Sequence, residues 1–64
     1  MITVNGEKKE FVSTTLEAFL IEEGYDLSKV VVERNLNIIP KDSLKNVLLE
    51  DEDTIEVLRF VGGG

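Results

Sequence analysis

Sixty-four residues with no cysteine, no histidine and a formal net charge of −6 leave room for one small domain and few kinds of chemistry. Disulfide staples, the usual zinc sites and Cys/His or Ser/His catalysis are excluded. The acidic balance argues against a nucleic-acid surface and fits encounters with basic patches on partner proteins. No window holds the 18 or so consecutive apolar residues of a membrane span and nothing resembles a signal peptide, so a cytoplasmic location is expected. Hydrophobic residues make up 42% of the chain, enough for one core; with few aromatic residues there is little room for a substrate cleft, so the chain is not expected to be an enzyme.

Ile2-Thr3-Val4 alternates apolar and polar residues as a half-buried strand does, and Asn5-Gly6 after it is a strong hairpin-turn signal. The returning strand is expected over residues 9–12, with Phe11 or Val12 turned inward. Thr14 and Glu17 have the spacing of a capping box, and Leu16, Phe19 and Leu20 then form one apolar helical face with Ala18 and Ile21 beside it. Gly24 is placed to end that helix in a left-handed conformation.

Val30-Val31-Val32 is β-branched and reads as a strand buried on both sides or nearly so. Asn35-Leu36-Asn37 reads as a turn and Ile38-Ile39 as a very short strand ended by Pro40. Residues 41–49 suit either a helical turn through Leu44, Val47 and Leu48 or a short strand. The Glu50-Asp51-Glu52-Asp53 run reads as a solvated turn, and alternation from Thr54 to Phe60 gives the last strand. A hairpin, a crossover helix and further strands predict an α+β fold: a mixed sheet of four to five strands with one main helix packed on one face. The first and last strands are expected side by side and parallel in the middle, as in the ubiquitin-like β-grasp.

The chain then runs Val61-Gly62-Gly63-Gly64. Glycines add no packing surface, yet side-chain-free residues fit a channel that would reject any other. The expected division is a β-grasp domain over 1–60 and a flexible glycine tail over 61–64. That tail would carry the α-carboxylate of Gly64 into another protein's active site, reaching about 13 Å when extended. If Ile55 and Val57 point into the core, Glu56, Leu58 and Phe60 point outward. Val31 joins Leu58 and Phe60 by the same alternation, forming with Val61 a partner-binding patch at the tail root. The competing reading folds Phe60 over the edge of the core.

The ordered set Ile2-Thr3-Val4-Asn5-Gly6, Thr14-Thr15-Leu16, Val30-Val31-Val32-Glu33-Arg34-Asn35, Ile38-Ile39-Pro40 and Ile55 to Gly64 resembles the ThiS-type sulfur carriers of thiamine biosynthesis. The likeness departs at Asp51-Glu52-Asp53, where that family commonly has a glycine. It implies a ubiquitin-activating-type adenylating enzyme that joins Gly64 to AMP at the expense of ATP. It implies sulfur supplied by a cysteine desulfurase, a thiocarboxylate at Gly64, and a thiazole synthase that receives the sulfur. Gly62 and Gly63 would be the residues threaded through the partner's channel. No bound cofactor, metal, membrane or nucleic acid is implied. Three alternatives stay open: a sulfur carrier for molybdopterin or another pathway, a covalent ubiquitin-like modifier, and a non-covalent β-grasp binding module. Molybdopterin-type carriers tend to be longer with prolines before the glycines, whereas the proline here is Pro40.

Overall fold

The computed structural model describes residues 1–59. Strand β1 (Ile2–Val4) turns at Asn5 and Gly6, whose φ values of +50° and +84° are those a two-residue hairpin of type I′ requires. Strand β2 (Glu7–Lys9) therefore begins directly after the glycine, with Val4 opposite Glu7 and Ile2 opposite Lys9. This corrects the expected strand over residues 9–12. Three pairs exhaust β1, so Phe11 and Val12 lie beyond the sheet and are exposed rather than inward.

Helix α1 (Leu16–Glu22) follows. Its cap is Thr15 and not Thr14: the Thr15 hydroxyl accepts from the Ala18 amide at 3.1 Å. Thr14 is engaged elsewhere, its carbonyl accepting from the Leu49 amide at 3.0 Å. At the other end Gly24, at φ +91°, donates to the Ile21 carbonyl, and Tyr25 donates to that of Leu20. These two bonds make a Schellman stop, which needs a left-handed residue at the glycine.

A short 3₁₀ turn over Leu27–Lys29 leads into β3 (Val30–Arg34), and a second type I′ turn at Asn35 and Leu36 leads into β4 (Asn37–Ile39). The stretch left open in sequence, 41–49, divides: residues Lys41–Asn46 form a 3₁₀ helix, and Leu48 bridges Thr15. It also ties down the start of α1, because the Leu16 amide donates to the Val47 carbonyl at 2.7 Å. Strand β5 (Thr54–Arg59) completes the sheet.

The strand order is β2-β1-β5-β3-β4. β1 and β5 are parallel neighbours in the middle and the other pairs are antiparallel. Ile2, Val4, Val30, Val32, Ile55 and Val57 face the helix and are buried with Leu16, Phe19, Leu20, Leu44 and Leu49. Each of the fully enclosed side chains Ile2, Leu16, Leu20, Leu44 and Ile55 contributes about 1.5–3 kcal/mol of transfer free energy. Val31 departs from the expectation of a strand buried on both sides. It alternates away from the helix and is half-buried, because one face of the sheet is uncovered among the described residues. Among those residues no helix is long and apolar enough to cross a membrane.

Candidate functional site: the exit of the central strand

Strand β5 directs the chain toward its C-terminal end from the centre of the sheet, held on one side by β1 and on the other by β3. Two polar clusters hold it in register, and neither was visible as such in sequence. The first is Asn5. Besides supplying the positive φ of its turn, its side-chain oxygen accepts from the Val57 amide at 2.8 Å, and its backbone amide donates to the Ile55 carbonyl at 2.9 Å. β1 ends at Val4, so the asparagine side chain replaces the strand that is no longer there to pair with Val57. The Asn5 amide group also donates to the Tyr25 hydroxyl at 3.2 Å, and the Arg59 guanidinium lies over the Tyr25 ring, 6.0 Å from its centre. The last described residue of β5 is thus linked to the first turn through an aromatic side chain.

The second cluster is built on Asp53, immediately before β5. The acidic run containing it does not behave as one solvated turn: Asp53 is only 3% exposed. Its carboxylate accepts from Arg34 Nε at 2.9 Å, from the Asn35 side-chain amide at 3.0 Å and from the Glu50 backbone amide at 2.9 Å. Burial pushes the Asp53 carboxyl up, but the bonds from Glu50, Arg34 and Asn35 outweigh it, and the group sits below the ordinary carboxylate range. Asn35 also accepts from the Thr54 amide at 2.9 Å, so the β3–β4 turn and the start of β5 are one hydrogen-bonded unit. A signal for this existed in the sequence only as the pairing of a lone Arg-Asn dipeptide with the last acid before a strand. Glu52, where the resembling family commonly has glycine, lies at φ +71°. The turn keeps the left-handed shape that glycine would favour, at the expense of local strain.

Of the candidate partner-contacting residues, Leu58 and Val31 are directly opposed across β5 and β3 on the sheet face away from the helix. Leu58 is 50% exposed and Val31 half-buried. Phe60, Val61, Gly62, Gly63 and Gly64 lie outside the described residues. On the same face the next opposed pair is Glu33 with Glu56, and Ile38 of β4 stands opposite Glu33 on its other side.

A mixed five-stranded sheet with its first and last strands parallel at the centre, wrapped over one main helix, defines a ubiquitin-like β-grasp domain. Comparison with known proteins narrows the class. The ThiS family model matches residues 2–64, and the chain belongs to that family. It is 38% identical over 66 aligned residues to the sulfur carrier protein ThiS of Bacillus subtilis, with both chains covered in full. It is 48% and 41% identical to thiazole synthases of Paramagnetospirillum magneticum and Magnetococcus marinus, over 98% of its own length. The chain spans only 20% of the length of those two synthases. The crystal structure of the thiamine biosynthesis protein ThiS from Geobacter metallireducens superimposes with a TM-score of 0.82 at 27% identity, covering 98% of this chain and 97% of that one.

Proposed function

We propose that the protein is a sulfur carrier of thiamine biosynthesis, a substrate handed between enzymes and not an enzyme itself. The observation that carries this reading is the family match through residue 64, in a chain with no cysteine on which a cargo could ride. A free carboxylate is a poor electrophile. An adenylating enzyme of the ubiquitin-activating type therefore joins the Gly64 carboxylate to AMP, using ATP and releasing pyrophosphate. The persulfide sulfur of a cysteine desulfurase attacks the acyl carbon, AMP leaves, and a thiol reductant cleaves the sulfur–sulfur bond to free a thiocarboxylate. Its sulfur is a better nucleophile than the oxygen it replaced, and it enters the thiazole ring on a thiazole synthase. The likeness to two thiazole synthases that are five times longer supports such a partner, since a domain of this kind within the same polypeptide as a synthase has reason to meet it.

Gly62 and Gly63 allow the tail through the partners' channels, and Gly64 bears the reacting carbon. Val31, Leu58, Phe60 and Val61 are the surface by which partners hold the body. ATP belongs to the adenylating enzyme, and the carrier itself binds no cofactor. The test is intact-mass analysis after incubation with ATP, an adenylating enzyme, a cysteine-fed desulfurase and a thiol. Exchange of one oxygen for one sulfur, confined to the C-terminal fragment and lost on deletion of Gly64, is the expected result. An AMP adduct without sulfur, or transfer of the chain to lysines, would instead favour a covalent modifier. No adduct with any adenylating enzyme would refute the carrier reading.

A further inference from the structure

The uncovered face of the sheet has an arrangement that the fold does not require. Glu33 and Glu56 are directly opposed on neighbouring antiparallel strands, where Cα atoms lie about 4.5–5.5 Å apart. Like charges in that relation destabilise a sheet. Both residues are partly buried, and among the described residues neither makes an ion pair or a side-chain hydrogen bond that would relieve the repulsion. The nearby cations are committed elsewhere. Arg34, next to Glu33 in sequence, alternates to the other face and binds Asp53 and Glu50, while Arg59 lies over Tyr25. Lys8 is on the same face, but on the edge strand beyond β1.

The surroundings of the pair are apolar. Val31 and Leu58 form the next opposed pair toward the end of β5, and Ile38, 66% exposed, stands beside Glu33 on β4. Two carboxylates framed by the half-buried Val31 and the exposed Leu58 and Ile38 do not suit a hydrated metal ion. Among the described residues no group of three or more acidic side chains is placed to hold one. A planar guanidinium suits them well, since it offers donors to both carboxylates at once and is more weakly hydrated than an ammonium group.

Building on the carrier reading, we propose that this face docks the adenylating enzyme, with Glu33 and Glu56 together receiving one arginine side chain that the enzyme presents among apolar groups. The aliphatic residues supply buried area, and the paired carboxylates fix register on the face and reject partners that carry an acid there. In the free domain the pair is mutually repulsive. In the complex the same two charges are shared by one cation, so the repulsion is relieved only when the right surface arrives.

ATP–pyrophosphate exchange by the adenylating enzyme, with this protein as the varied substrate, tests the proposal. The substrates are the wild type, Glu33→Gln, Glu56→Gln and the double variant, each at low and high salt, and the thermal midpoint of each is measured alone. The expected result is a KM raised at least tenfold in the double variant and by less in each single one, with kcat within twofold of wild type. The salt dependence of KM should flatten in the double variant, whose thermal midpoint should not fall, because the substitution removes a repulsion. A KM within twofold of wild type in a folded double variant, or an unchanged salt dependence, overturns the proposal and leaves the carrier reading intact. Absence of exchange with the wild type overturns both.

Discussion

Replacement of Asp53 by alanine is the most severe test of how β5 is held. Three donors lose their acceptor at once: Arg34 Nε at 2.9 Å, the Asn35 amide at 3.0 Å and the Glu50 backbone amide at 2.9 Å. Hydrogen bonds to a charged group are each worth about 1.5–3 kcal/mol. The full sum overstates the loss, because Asn35 and Glu50 are exposed and regain water, and Arg34 retains Glu50 at 3.7 Å. A net loss of about 3 kcal/mol follows, against a total of about 3–10 kcal/mol for a domain of this size. At about 4–8 °C per kcal/mol, the midpoint of thermal unfolding followed by circular dichroism should fall by about 12–24 °C. The Asp53→Asn variant separates charge from shape. Because the folded-state pKa of Asp53 is depressed, the unfolded chain takes up that proton more readily. The stabilisation is therefore complete above the ordinary carboxylate value and is lost as pH falls through the folded value. The stability gap between wild type and Asp53→Asn should be widest near neutrality and close in acid. A gap that is equal at pH 7 and pH 2, or an alanine variant within about 1 kcal/mol of wild type, would refute the account.

Glu52→Gly should stabilise the domain by about 0.5–1 kcal/mol, since φ +71° is strained for glutamate and natural for glycine, and urea unfolding measures it. Leu20→Ala, at a fully enclosed position on the buried face of α1, should cost about 2–5 kcal/mol in the same assay. Leu58→Ala should cost less than about 1 kcal/mol because half of the side chain is already in water, yet it should raise KM for adenylation; a stability loss as large as that of Leu20→Ala would place Leu58 in the core instead. Asn5→Ala should destabilise by about 1–3 kcal/mol by stranding the Val57 amide, and exchange of that amide hydrogen with solvent should accelerate more than that of its neighbours.

What sequence determined by itself was local or periodic. Alternation in Ile2-Thr3-Val4 and Thr54 to Arg59 selects which side chains enter the core, Asn5-Gly6 selects a two-residue turn, and Gly24 stops the helix, because each depends on residues adjacent in the chain. The Leu16, Phe19 and Leu20 face and the parallel meeting of first and last strands follow from the same periodicities and from the need for a crossover. The family likeness was legible in the same way, as an ordered set of short motifs ending in glycines. Tertiary structure decided the rest. Asp53 reads as one more acid in a charged run until Arg34, nineteen positions away, closes on it. Residues 10–12 carry strand-like residues, yet three-residue β1 is already matched through Lys9 and leaves nothing for them to pair with. The choice between helix and strand in residues 41–49 went partly to each, because the segment is shaped by covering α1 and not by its own period. The opposition of Glu33 and Glu56 also exists only through the register of two strands that are far apart in the chain. Such contacts carry no local signature: each residue is unremarkable beside its sequence neighbours, and its role is assigned by what folding brings across from it.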